Sequence, residues 1–213
     1  MKKFLILLVL VSLLSFPLMA QDYPKAEVFG GYQYMHFNDV GGCGYSNGFG
    51  CPSINFNGWD ASVTGYFSKY LGVTGDFSGN YGSFKETFTV SGTSVTVNFP
   101  THVYSFTGGP VVAYREGKVN PFAHALFGGA HANVSGSYAG VSASASKNVF
   151  TMMFGGGVDV QASKSVAVRL IDVDWVYYHY GSGSGTILTV PYSYKSGSGS
   201  KNVRISTGIV FRF

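Results

Sequence analysis

From Asn202 to Phe213 apolar and polar residues alternate almost without exception. Val203, Ile205, Thr207, Ile209, Phe211 and Phe213 fall on one face, and Asn202, Arg204, Ser206, Gly208 and Arg212 on the other. Val210 is the one strong apolar residue on the polar side. A period of two is the mark of a strand with one apolar face. Seven earlier segments carry the same pattern: Glu27–Phe37, Gly58–Phe67, Leu71–Tyr81, His102–Tyr114, Pro121–Ala132, Val149–Gln161 and Val166–Tyr178. Each is close to the roughly 9–11 residues with which a tilted strand crosses the hydrocarbon of a bilayer. The facing of Pro121–Ala132 is ambiguous. In Val166–Tyr178 the pattern breaks, because Arg169 lies on one parity and Asp172 and Asp174 on the other. Either a bulge shifts the register between them, or Arg169 sits near the membrane edge.

The connections alternate in length. Phe67–Leu71, Tyr114–Asn120 and Ala162–Ser165 are short turns, whereas Asn38–Asn57, Gly82–Thr101, Asn133–Asn148 and His179–Ser200 read as long polar loops. Short turns at one end and long loops at the other are what a transmembrane barrel shows, with an even strand number. No segment after residue 20 is an unbroken apolar stretch of about twenty residues, so a spanning helix is excluded. Lipid offers no partner to a free backbone amide, which leaves the edge-free barrel. Aromatic residues gather toward the segment ends, at Tyr34, Phe37, Trp59, Tyr81, Trp175, Tyr177 and Tyr178 on the loop side and at Phe67, Tyr70, Tyr114 and Phe211 on the turn side. These positions suit interfacial girdles.

The N-terminus has Lys2 and Lys3, an apolar run from Phe4 to Leu14, and Ala20 before Gln21. This reads as a secretory signal peptide spanning residues 1–20, cleaved after Ala20, with one domain over residues 21–213. Only 11% of the residues are charged, against roughly 25% in ordinary soluble domains. Loss of Lys2 and Lys3 takes the formal charge from +4 to +2. With no cluster of basic residues interleaved with aromatics, nucleic acid is not an expected partner. Two cysteines, Cys43 and Cys51, lie in one Gly- and Asn-rich stretch. In an oxidising compartment they are expected to form a disulfide. The sharper alternative, a metal site with His36, has too few ligands for a good zinc set.

On the polar parity stand Glu27, Asp60, Asp76, Asp159 and Arg204, with Arg212 near the turn end. Charges inside a narrow barrel are costly unless paired, and arginine can bridge two carboxylates. A charged cluster that fills the interior is therefore expected, with a proton path or a small-ligand pocket as alternatives. His102, His131 and His179 fall at loops or strand ends. His124, within an apolar strand, reads as a hydrogen-bonded interior histidine more readily than as a base. Gly155–Gly156–Gly157 lies in a strand with no helix behind it, so close packing or wall curvature fits it better than phosphate binding.

Signal peptide, eight alternating strands, alternating connections and the ending from Arg204 to Phe213 resemble the small outer-membrane barrels of the OmpA-like and OmpX-like type. The resemblance covers about residues 27–213. It implies an all-β, eight-stranded antiparallel up-and-down transmembrane barrel in the bacterial outer membrane. It also implies that Ile209, Phe211 and Phe213 act as an assembly signal read by the barrel assembly machinery. Outer-membrane lipid is an expected partner and an extracellular partner of the loops a further one. The larger relatives carry a peptidoglycan-binding domain after the barrel, which is not expected where the chain stops at Phe213. No cofactor is expected. A structural or surface-interaction role through the long loops, without catalysis, competes with a narrow transport barrel or a lipid A-modifying enzyme. Those enzymes use a His with a Ser and a carboxylate, and the nearest pair here, His102 and Ser105, sits three residues apart and so on opposite faces of a strand.

Overall fold

The computed structural model describes residues 24–37, 54–90, 93–138, 141–179, 183–187, 190–194 and 199–213. The signal peptide with its cleavage site, and Cys43 and Cys51, lie outside the described residues. The strands are β1 (Ala26–Phe37), β2 (Ile54–Tyr66), β3 (Leu71–Val90), β4 (Thr93–Ala113), β5 (Val119–Tyr138), β6 (Val141–Gln161), β7 (Val166–His179), β8 (Gly183–Ile187), β9 (Val190–Tyr194) and β10 (Gly199–Arg212). Eight of them close a barrel in the order β1-β10-β7-β6-β5-β4-β3-β2, and β8 and β9 form a separate hairpin between β7 and β10. All pairings are antiparallel. Among the described residues no helix is long and apolar enough to cross a membrane.

Only the seam joins strands far apart in sequence. There β1 and β10 run in unbroken register from Glu27–Arg212 to Phe37–Asn202. At the turn end Phe213 tightens it: its carbonyl accepts from the amides of Lys25 at 2.7 Å and Ala26 at 3.2 Å, and its own amide donates to Ala26 at 2.9 Å. With that pairing no strand is left with a free edge within the barrel wall, as lipid requires.

The alternation has the inverted sense expected in a membrane. Val63, Val73, Phe77, Phe106, Phe127, Phe154, Leu170 and Ile209 point outward and are exposed, while Asp60, Asp76, Thr107, Thr151, Asn202 and Arg204 point inward and are buried. In Pro121–Ala132 the inward set is Phe122, His124, Leu126 and Ala130. The facing was ambiguous because the outward Pro121, Ala123, Ala125 and Phe127 are just as apolar. In β7 a bulge exists: Leu170 and Ile171 both face outward, Arg169 and Asp172 both inward. The register shifts between Ser206 and Gly208 on β10 and between Val158 and Asp159 on β6. Arg169 is therefore a lumen residue, and the membrane-edge alternative fails.

Two expectations need correction. Gly82–Thr101 and Asn133–Asn148 are for the most part not loops. β3 and β4 stay paired as far as Val90–Thr93, and β5 and β6 as far as Tyr138–Val141. In these outer parts the strands stay joined through β-branched and aromatic cross-strand pairs, and on β4 the alternation continues, with Val97 and Phe99 buried and Thr96 and Asn98 exposed. Thr87 and Thr96 share a hydrogen bond of 2.9 Å, and Phe84 stacks on Phe99 with centroids 5.1 Å apart. Phe37 and Tyr178 are also not girdle residues. They are buried in the lumen, stacked on each other at 5.4 Å.

Candidate functional site in the barrel interior

The polar faces of the strands converge on a narrow lumen, where charged groups stack in layers. Nearest the turns, one carboxylate oxygen of Glu27 is ion-paired with Arg212 Nε at 2.9 Å and Arg115 Nη2 at 3.0 Å. Its other oxygen accepts from Tyr66 Oη at 3.1 Å. Arg115 lies 4.0 Å above the Tyr66 ring and donates to the Pro24 carbonyl at 2.9 Å. This layer closes the turn-side end of the lumen.

One layer up, Arg169 grips Asp159 with two nitrogens, Nε at 2.9 Å and Nη2 at 3.4 Å, and turns Nη1 to Asp172 Oδ2 at 3.2 Å. Its guanidinium is sandwiched between Phe29 and Phe122, 4.4 and 4.1 Å from their centroids. Rings on both faces and carboxylates in the plane suit a planar, delocalised cation.

Near mid-height Arg204, only 1% exposed, bridges the walls. From β10 it donates to Asp174 Oδ2 on β7 at 2.7 Å and to both oxygens of Asp76 on β3 at 3.1 and 3.3 Å, and Asp60 on β2 lies 3.8 Å away. His124 Nε2 meets the other oxygen of Asp174 at 2.6 Å. The glycine run makes this contact possible. Gly155 on β6 pairs with His124 on one side and Asp174 on the other. A Cβ at Gly155 would overlap the Asp174 carboxylate.

Above the charged layers the lumen turns apolar. Met35, Phe37, Ile54, Phe56, Leu126, Val149, Met153, Val176 and Tyr178 belong to one buried cluster across the loop-side end. Between charge and cap, Gln33 Nε2 donates to Asn80 at 2.8 Å. The interior retains a cavity of about 20 Å³ lined by Thr64, Asp76, Phe122, His124, Arg169 and Asp172. That is room for a single water.

A lumen filled with paired charge inside a wall of outward apolar residues is the construction of a small membrane barrel. The model of the outer membrane protein beta-barrel domain matches residues 6–213 of this chain. The chain belongs to that family. This outer-membrane barrel is similar in fold to several solved structures. Ail of Yersinia pestis superposes with a TM-score of 0.55 at 20% identity, over 90% of this chain and 99% of that one. OprG of Pseudomonas aeruginosa gives 0.53 at 10% identity over 90% and 96%. The neisserial surface protein NspA gives 0.51 at 12% over 88% and 97%. No curated protein sequence matches.

The outer-membrane barrel brings together the residues read from the sequence, but as two groups. Asp60, Asp76 and Arg204 meet near mid-height, whereas Glu27, Asp159 and Arg212 meet near the turns, Arg212 Nη2 lying 3.6 Å from Asp159. Arg169 links the groups through Asp159 and Asp172. Sequence reasoning missed Arg115, which sits just past β4 and looks like a turn residue, yet its side chain is 3% exposed. The apolar cap was also missed. Its members lie on the inward parity at the loop-side ends of the strands, where aromatic residues were assigned to the girdle instead.

Proposed function

We propose that this protein works at the cell surface through its loop-side end, without catalysis and without passing solutes through its lumen. The observation that carries this reading is the Arg204 bridge. One side chain spans the lumen from β10 to Asp76 on β3, the apolar cap lies above it, and the adjoining cavity has room for only about one water. An eight-stranded barrel has an interior just wide enough for side chains to fill. A transport role needs an open path, and a lipid A-modifying role needs a reachable base. Here the buried His124 side chain is 6% exposed and directed at Asp174, and the outward His36 and His131 are hydrogen-bonded to Asn55 and Asn148, not to a carboxylate.

The outer ends of β3–β4 and β5–β6 offer pairs of extended strands to the outside. Ail, which shares the fold, has been crystallised with the heparin analogue sucrose octasulfate. A sulfated glycan is therefore a sensible first probe of the loop-side surface. Planar-bilayer recording of the purified, refolded protein tests the closed lumen, with silence as the expected result. Stable single-channel steps from the monomer would overturn it. Cells displaying the protein should bind a surface ligand, and shortening the hairpin between residues 83 and 100 should abolish that binding while the barrel still folds.

A further inference from the structure

We propose that His124, Asp172 and Asp174 form a binding site for one divalent transition-metal ion, with zinc as its simplest occupant, inside the barrel. Nε2 of His124 and one oxygen from each carboxylate lie within 4.8 Å of one another. Around a four-coordinate ion with bonds of about 2.0–2.2 Å, donor atoms stand about 3.4 Å apart, so His124 Nε2 and the Asp174 oxygen, 2.6 Å apart in their hydrogen bond, give up that proton and open slightly while Asp172 draws in. One imidazole and two carboxylates suit zinc, with a water in the fourth position.

Four observations converge on these residues. Asp172 is 1% exposed, and its Oδ1 is buried without a hydrogen-bond partner. An orphaned carboxylate oxygen in a dry interior is expensive, and Asp172 lines the cavity together with His124. That cavity, about 20 Å³, can hold the water of the fourth position.

Second, the arginines grip the far oxygens. Arg169 holds Asp172 by Oδ2 and Arg204 holds Asp174 by Oδ2. The Oδ1 atoms are thereby left for His124 and an ion, and carboxylate ligands held in this way by outer partners are usual at metal sites.

Third, β6 separates His124 on β5 from the two aspartates on β7, and its residues at these levels are Gly155 and Gly157. Cβ atoms there would overlap Asp174 and the Ile171 carbonyl. The missing side chains let groups two strands apart share one site.

Fourth, the charge does not balance. Glu27, Asp60, Asp76, Asp159, Asp172 and Asp174 face Arg115, Arg169, Arg204 and Arg212 among the described buried side chains. With His124 neutral, as a metal ligand must be, the carboxylates exceed the arginines by two, which is the charge one divalent ion supplies.

Because the site is enclosed, the ion enters as the barrel folds and leaves slowly afterwards. The test is to refold the protein with zinc alone, remove loose metal with a chelator, and measure zinc per folded chain. The wild type should keep one zinc, and zinc added after folding should be stripped. Asp172→Asn and His124→Ala should keep almost none. A folded wild type that retains no zinc overturns the proposal. So does equal retention in both variants, which would place the metal on the outer histidines. If the variants do not fold, the wild type refolded with cobalt decides: intense visible bands of a four-coordinate ion support the site, and their absence overturns it.

Discussion

Arg204 is answered by carboxylates from three strands, so its removal would leave Asp76, Asp174 and Asp60 crowded without their shared cation. Breaking a buried pair by deleting one partner costs on the order of 3–5 kcal/mol, and Arg204→Ala should destabilise the barrel by about that much. The midpoint of urea unfolding in lipid, followed by the gel shift between folded and unfolded forms, would show it. A change below about 0.5 kcal/mol, the usual size at an uninvolved surface site, would mean the network is dispensable. At the turns the balance is different. Glu116 receives Lys69 Nζ at 2.6 Å and the hydroxyls of Tyr70 and Tyr114, joining the β2–β3 and β4–β5 turns. Those donors, Lys69 first, hold its carboxyl down at about 2 from an ordinary 4.5. A lowered acid pKa contributes stability that is complete above the ordinary value and is lost as pH falls through the lowered one. The contact between the two turns should therefore persist at pH 4 and disappear as pH falls through about 2. An NMR titration of the Glu116 carboxyl can follow this, and a midpoint near 4.5 would refute it.

Among the elements, legibility followed composition as much as period. Where one face of a strand meets lipid and the other the lumen, as in β2, β10 and the lower half of β3, the period of two gave both the strand and its facing. Between Ser83 and Pro100 the period persists, with Val97 and Phe99 buried and Thr96 and Asn98 exposed, but the Ser, Thr and charged residues around it read as a loop. The bulge was half legible: the conflicting parities of Arg169 and Asp172 required some irregularity, but only the register against β6 and β10 places it at Leu170–Ile171. Deleting Ile171 would leave Arg169, Leu170 and Asp172 in strict alternation and in continuous register with β6 and β10, so Arg169 should stay in the lumen and the barrel should still refold. A collapse of the folded fraction after refolding would show that the bulge itself, and not only the facing of its neighbours, is needed. The pairing of distant charges could not be read at all, because Arg115 with Glu27 and Arg204 with Asp76 depend on closure of the cylinder. At the end of the chain, the Phe213 side chain is 70% exposed while its backbone closes the seam. Phe213→Ala keeps the backbone bonds and should leave the unfolding midpoint almost unchanged. Delivery to the outer membrane should nevertheless fall several-fold, as expected of an assembly signal, and normal delivery would remove that role.

For the whole molecule, seven of the eight barrel pairings join strands that follow one another along the wall, while the eighth joins β1 to β10. Local hairpins form readily, whereas a pairing between the two ends of a chain is slow because loop closure must come before any contact rewards it. Until β10 is in place, β1 and β7 each present a row of unpaired backbone groups, the template on which chains aggregate. The finished cylinder hides every such edge within the membrane, but it can do so only after its last strand has been delivered. The vulnerable quantity in this protein is thus a waiting time. It is set by the order in which the strands arrive, and any escort of the unfolded chain has to cover that interval.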